Sequence, residues 1–129
     1  MWDATRGFEF NLIDMNAAEV DLSHKKIGVS GATAIAAVLP GSSVTTLNLG
    51  DNAIGDEGCK AIADKLPGSS VITLNLGNNK IGVEGGKAIA DKIPGSSVTT
   101  LDLSDNAIGD EAKAALTAAA EAKGCELYY

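Results

Sequence analysis

Aromatic side chains are almost absent from the body of this sequence. Five of the 129 residues are aromatic, and all of them lie in the first ten or the last two positions: Trp2, Phe8, Phe10, Tyr128 and Tyr129. Residues 11–127 therefore lack the stacking surfaces on which proteins bind bases, and they cannot form an aromatic cage around a cation.

Positive charge is also scarce. Ten Lys and Arg residues stand against seventeen Asp and Glu residues, which gives a formal net charge of −7 at pH 7. Because this charge repels phosphates, we expect no nucleic acid partner and no anionic membrane surface as a partner. No apolar run approaches the ~20 residues that a membrane helix needs.

Cysteine is the third scarce residue. Cys59 and Cys125 are too few for a disulfide framework, and the first seven residues lack the basic and apolar regions of a signal peptide. We therefore expect a reducing, cytoplasmic location. Since the two thiols lie far apart in the sequence, we expect them to hold no metal, and no sequence motif predicts a cofactor.

The sequence does contain a tandem repeat. The phrase Leu-x-Leu begins at Leu47, Leu74 and Leu101, and Val20-Asp21-Leu22 stands at the same spacing of 27. The units are 20–46, 47–73, 74–100 and 101–127, and the second and third agree at 21 of 27 positions. We predict an N-terminal cap at 1–19 and the start of a fifth strand at 125–129. One unit cannot bury its own apolar face, so the units must stack into a solenoid.

Each unit is predicted to contain one short strand and one helix. Leu47 and Leu49 alternate with polar residues, as in a strand with one buried face. Apolar and small residues at 59, 62, 63 and 66 form the stripe of a helix that runs from Asp56 to Leu66. Asp56 is the predicted N-cap of this helix, and Pro67 ends it. This pattern indicates an α/β solenoid.

The repeat resembles a known family. The pattern Val44-x-x-Leu47-x-Leu49-x-x-Asn52-x-Ile54-Gly55, followed by Gly58, Ala61-Ile62-Ala63 and Leu66, is similar to the leucine-rich repeat of the ribonuclease-inhibitor type. NOD-like receptors and Ran GTPase-activating proteins carry such repeats. The resemblance implies a short horseshoe arc with parallel strands on the concave side and helices on the convex side. It also implies that a protein binds on the concave side or its adjoining loops.

Polar strand residues between the buried leucines should face the concave side, together with the residue that follows each strand exit. The candidate binding residues are Glu19, Asp21, His24, Thr46, Asn48, Asp51, Thr73, Asn75, Asn78, Thr100, Asp102 and Asp105. This row is mildly acidic and lacks the Trp, Tyr and Arg anchors of strong interfaces. The expected partner is therefore a protein or peptide, most compatibly a basic one, which binds with modest affinity.

Two constellations in this region have an alternative chemical interpretation. His24 and Asp51 should be neighbours, and such a pair can orient a general base, but no nucleophile or oxyanion site accompanies them. Asn52, Asn79 and Asn106 share one repeat position, where their amides can form a structural hydrogen-bond ladder. A metal site built from these amides and Asp51, Asp56 or Asp105 does not match the spacing of an EF-hand. We therefore predict no enzyme activity.

The fourth repeat departs from the sequence pattern of the earlier units toward its C-terminal end. The fourth helix, about Asp110 to Lys123, is rich in alanine and has a predicted inward stripe of Lys113, Leu116, Thr117 and Ala120. Cys125 is placed at the inward position of Val44, Val71 and Val98. An uncovered strand edge is a template for pairing. We therefore predict a homodimer that forms through Cys125, Leu127, Tyr128 and Tyr129.

Three interpretations of the function are compatible with these features. The first is a non-enzymatic binding or scaffold module made of leucine-rich repeats. The second is a structural repeat protein, consensus-designed or recently duplicated, whose faces have no specialised ligand. A fragment of a larger sensor or of a GTPase-regulating protein is a third reading, which depends on fold analogy alone.

Overall fold

The computed structural model describes residues 17–129, so most of the predicted N-terminal cap lies outside the described residues. Five strands form one parallel sheet in chain order: β1 (Glu19–Asp21), β2 (Thr46–Asn48), β3 (Thr73–Asn75), β4 (Thr100–Asp102) and β5 (Glu126–Tyr128). The helices are α1 (Gly28–Val38), α2 (Gly55–Lys65), α3 (Val83–Lys92) and α4 (Gly109–Lys123). Short 3-10 turns follow the first three helices, at Leu39–Gly41, Leu66–Gly68 and Ile93–Gly95.

The sheet register follows the 27-residue spacing through four strands. Val20 pairs with Leu47, Leu47 with Leu74, and Leu74 with Leu101. These four residues are buried, whereas the strand positions on either side of them are half-buried or exposed. The leucines therefore face the helices, and the polar neighbours form the opposite, open face of the sheet. This confirms the predicted α/β solenoid, with strands on the concave side and helices on the convex side.

The core between the sheet and the helices is aliphatic. Ile35, Leu47, Ile62 and Leu74 are among its fully buried side chains. Close helix packing depends on small residues, because a Cβ added at Gly58 of α2 would lie 3.0 Å from Cβ of Ala32 in α1. Small side chains between the helices let each repeat stack directly on the next.

Asp56 has a different role from the one its position in α2 predicts. Helix α2 begins at Gly55 without a side-chain cap, so the prediction that Asp56 caps its own helix is wrong. Oδ1 of Asp56 accepts hydrogen bonds from the backbone N–H groups of Gly82 (2.6 Å) and Gly85 (3.0 Å). Asp56 therefore caps α3, in the next repeat. The corresponding residue one repeat later is Val83, which has no carboxylate for α4.

Helix α4 buries a narrower stripe of residues than the prediction gives it. Its buried residues are Ala112, Leu116 and Ala120, so the predicted inward positions of Lys113 and Thr117 are wrong. The equivalent positions in α2, Cys59 and Ala63, are buried, and Cys59 lies against Gly85 of α3, the helix of the next repeat. Among residues 17–129, no further helix packs on the corresponding side of α4. Lys113 and Thr117 lie instead toward the side where a further repeat would stack.

Strand β5 pairs with β4 one residue earlier than the 27-residue repeat predicts. Leu127 pairs with Leu101, a separation of 26 rather than 27, so the predicted equivalence of Cys125 and Val98 is wrong. The cause is α4, which runs on without a proline-containing 3-10 turn and ends at Gly124 with φ +80°. A shift of one residue reverses the faces of a strand. Leu127 therefore packs against the core, and Tyr128 joins the open face beside Asp102.

Candidate protein-binding face

The open face of the sheet, called here the concave face, consists of the first and third residues of each strand. The first positions are Glu19, Thr46, Thr73, Thr100 and Glu126, and the third positions are Asp21, Asn48, Asn75, Asp102 and Tyr128. All strand residues singled out in the sequence thus lie on one surface. Glu126 and Tyr128 extend it by one strand and were not among the predicted binding residues of this row.

The third position of four strands also has a structural role. In each case a side-chain oxygen accepts a hydrogen bond from the backbone N–H two residues later, which is an Asx turn. The pairs are Asp21–Ser23 (3.0 Å), Asn48–Gly50 (3.0 Å), Asn75–Gly77 (2.8 Å) and Asp102–Ser104 (2.8 Å). In the sequence, the small residues Ser23, Gly50, Gly77 and Ser104 already indicate tight turns, and the structure adds that an Asp or Asn side-chain oxygen closes each turn.

The two aspartates at this position are held more firmly than the two asparagines. Oδ1 of Asp21 accepts both the N–H and the hydroxyl of Ser23, and these bonds lower the pKa of the Asp21 carboxyl group. Asp102 makes the same two bonds with Ser104, whose hydroxyl donates at 2.7 Å. Each carboxylate is therefore oriented while its charge remains on the concave face.

A second polar row follows the strands, formed by His24, Asp51, Asn78 and Asp105. All four have positive φ angles, between 51° and 59°, which Asn, Asp and His adopt more readily than other side chains. Oδ2 of Asp51 lies 3.3 Å from Nε2 of His24, and Oδ1 of Asp51 accepts a hydrogen bond from Nδ2 of Asn78. His24 and Asp51 are thus neighbours, as the repeat spacing predicts.

The two rows line a shared polar groove of about 210 Å³. Its acidic lining residues are Asp51, Asp102 and Asp105, with His24 beside Asp51, and backbone and amide groups make up much of the rest. Among residues 17–129, no group of three or more His, Cys, Asp or Glu side chains is arranged to hold a metal ion. The groove offers carboxylates and amides to an extended polar ligand.

The three repeat asparagines are integrated into the backbone. Nδ2 of Asn52 donates to the carbonyl oxygens of Leu22 and Leu49, both at 2.9 Å, and its Oδ1 accepts from the N–H of Lys25. Asn79 and Asn106 repeat this arrangement one and two units later. Each amide joins its own strand exit to the preceding repeat, which leaves it no freedom to bind a ligand.

The C-terminal edge is partly covered by the chain itself. The Tyr129 hydroxyl donates to the carbonyl oxygen of Lys113 (2.9 Å) and lies 2.7 Å from Oγ1 of Thr117. The ammonium of Lys113 lies 5.2 Å from the centre of the Tyr129 ring. Tyr129 therefore packs on α4, while Tyr128 is 52% exposed and Cys125 is partly buried.

These features define a class of protein, a repeat solenoid with an open parallel sheet. The Leucine Rich repeat family matches residues 42–63, 69–90 and 96–116, which is just over half of the chain. The chain belongs to the leucine-rich repeat family.

A solved structure described as leiomodin-1 actin-binding site 2 has a similar fold. The TM-score is 0.80 at 20% sequence identity, and the match covers 90% of this chain and 72% of that one. At this identity the likeness establishes the fold alone. No curated protein matches the sequence. Within residues 17–129, no helix has both the length and the apolarity that crossing a bilayer requires.

Proposed function

We propose that this chain is a non-enzymatic, cytoplasmic protein-binding or scaffold module, and that its partner lies on the concave face. Membership of the leucine-rich repeat family supports a protein-binding role. The structural neighbour is itself described as an actin-binding site, which supports binding to proteins in general. It does not identify actin as the partner of this chain, because the two sequences share only 20% of their residues.

The chemistry of the concave face carries this proposal. Its strand positions are polar except at Tyr128, and they include four acidic residues and no Lys or Arg: Glu19, Asp21, Asp102 and Glu126. The row beyond the strands adds Asp51 and Asp105, and lysines occur only farther along these loops, at Lys25, Lys26 and Lys80. A basic protein or peptide complements this surface better than a nucleic acid or an anionic membrane does.

Thr73→Arg tests the proposal at the centre of the face. Thr73 is half-buried, and its side chain makes no hydrogen bond to another residue in 17–129, so the fold does not depend on its hydroxyl group. Ala115→Arg is the matched control, because it adds the same charge at an exposed position on α4. The immobilised wild-type chain and both variants are used to capture proteins from the same lysate.

The expected result is a protein that the wild-type chain and Ala115→Arg retain and that Thr73→Arg loses. A protein retained equally by all three chains would contradict the concave face as the binding surface. If no protein depends on Thr73, the second reading is favoured, a structural repeat protein whose faces have no specialised ligand.

We also propose that two copies associate through the edge strand β5. Its outer side has no strand neighbour among residues 17–129, and its exposed Tyr128 adds apolar surface. Sedimentation equilibrium over a range of concentrations tests this proposal, with Tyr128→Lys as the disrupting variant because Tyr128 is exposed. A monomeric mass at every concentration would contradict it.

A further inference from the structure

We infer that the C-terminal end of the concave face is an arginine-binding site for the basic partner. An arginine side chain of that partner stacks on the ring of Tyr128 and donates hydrogen bonds to the carboxylate of Asp102. This inference rests on the proposed function, since it specifies the partner chemistry of the same surface. It goes further by assigning the main anchor to one pair of residues.

The position of the aromatic ring is the first argument. Because the last repeat spacing is 26 residues, Tyr128 lies directly beside Asp102 in the sheet, on the same face. Neighbouring strands are separated by about 4.8 Å, so one planar group can touch the ring and the carboxylate together. Tyr128 is 52% exposed, and its hydroxyl group makes no hydrogen bond to another residue in 17–129.

The state of the carboxylate is the second argument. Oδ1 of Asp102 is held by the N–H and the hydroxyl of Ser104, whereas Oδ2 makes no hydrogen bond to any residue in 17–129. The carboxylate is thus already oriented, which lowers the entropy cost of binding. Asp105, exposed on the next loop, lines the same groove and adds a second negative charge.

Among residues 17–129, the rest of the concave face lacks this combination. Asn48 and Asn75 stand at the same strand position without charge, and Asp21 has an asparagine as its sheet neighbour instead of a ring. Within the described range, 17–129, an exposed aromatic ring and an oriented carboxylate adjoin only at β4 and β5. The ends of the face are therefore not equivalent, and we expect the partner to bind in one orientation.

Arginine fits this pair better than lysine. Its guanidinium is planar, so it stacks on an aromatic ring while its edge donates to a carboxylate. Charge-assisted bonds of this kind are stronger than neutral ones. The ammonium of lysine is a compact point charge and cannot make both contacts with the same geometry.

The test uses three peptides of equal length, with alternating glycine and either arginine, lysine or citrulline. Binding to the full chain is followed by two-dimensional NMR. We expect the arginine peptide to shift the backbone signals of Asp102, Ser104, Asp105 and Tyr128 most strongly. We expect the lysine peptide to bind at least about three-fold more weakly than the arginine peptide. The neutral citrulline peptide should bind most weakly of the three.

Three variants separate the contributions of ring and charge. Tyr128→Ala should weaken the arginine peptide about five-fold, whereas Tyr128→Phe should keep most of the affinity because the ring remains. Asp102→Asn should also weaken binding, and its Asx turn should persist because Asn48 and Asn75 make the same turn. Asp21→Asn is the matched control, with the same loss of charge at the other end. Urea unfolding of each variant verifies that the fold is retained.

Equal affinities for the wild-type chain, Tyr128→Ala and Asp102→Asn would overturn the inference. It would also be overturned if Asp21→Asn weakened binding as much as Asp102→Asn, because general charge attraction would then suffice. The arginine site can fail while the proposed function holds. If Thr73→Arg abolishes capture of the cellular partner while Tyr128→Ala and Asp102→Asn do not, the concave face stands and the arginine site alone is wrong.

Discussion

Oδ1 of Asn79 accepts a hydrogen bond from the backbone N–H of Asn52, 27 residues earlier, at a distance of 2.9 Å. Nδ2 of Asn79 donates in turn to the carbonyl oxygen of Leu49, at 2.8 Å. One side chain thus satisfies the backbone of the repeat before it as well as its own. The polar residues of this solenoid join its repeats, as the aliphatic core does.

Asn79→Ala should destabilise the chain strongly. Asn79 is fully buried, and its loss leaves the buried N–H groups of Asn52 and Ile54 without their acceptor, which costs about 3 kcal/mol. Asn106→Ala is the matched comparison and should cost less, because Asn106 is only partly buried. Urea unfolding followed by circular dichroism measures both. A larger loss for Asn106→Ala would contradict this reasoning.

Asp56→Ala tests the cap between repeats. Removing a carboxylate that accepts two N–H groups at the start of α3 should lower the free energy of unfolding by about 1 kcal/mol. Asp110 occupies the same position in α4 and makes no hydrogen bond within 17–129. Asp110→Ala should therefore leave stability nearly unchanged, and an equal effect of the two substitutions would show that Asp56 acts only through its own helix.

The two thiols should differ in reactivity. Burial, with a smaller contribution from Asp56, raises the pKa of Cys59 to about 12, so its thiol stays protonated and inert. Burial also raises the pKa of Cys125, but this thiol is partly exposed. With Ellman's reagent we expect Cys125 to react first in the folded chain and both to react in urea. Cys125→Ser should remove the faster phase, and survival of that phase would contradict the assignment.

The contribution of Asp21 to the free energy of unfolding should decrease at acidic pH. The N–H and hydroxyl of Ser23 lower the folded-state pKa of Asp21 below the ordinary value of 3.8. A lowered folded pKa stabilises the fold at pH values above 3.8, and this contribution disappears as the pH falls through the folded pKa. The difference in urea midpoint between the wild-type chain and Asp21→Ala should therefore shrink from pH 6 toward about pH 2. A difference that stays constant with pH would show that charge is not involved.

Periodicity accounts for what the sequence predicts well. The 27-residue spacing and the buried Leu47, Leu74 and Leu101 determine the sheet register, because one apolar face must point to the core in every repeat. The position of His24 beside Asp51 follows from the same spacing. These features repeat, so each unit confirms the assignment made for the previous one.

The features that sequence reasoning missed occur once or involve contacts between repeats. Asp56 resembles a local N-cap, and only the geometry of the loop at Gly82 directs its carboxylate to the following helix. The outward position of Tyr128 depends on where α4 ends, and Gly124 ends it in the left-handed conformation. A strict spacing of 27 turns Tyr128 inward. For this reason the binding face predicted from the sequence did not include Tyr128, its one aromatic residue among 17–129.

Side-chain amide signals in the NMR spectrum test the central claim most directly. The NH₂ groups of Asn48 and Asn75 lie on the concave face, whereas those of Asn52 and Asn79 are buried in the ladder and serve as internal controls. When the captured partner is titrated into the labelled chain, the first pair should shift and the second pair should not. Unchanged signals from Asn48 and Asn75, with shifts confined to the helices, would contradict binding on the concave face.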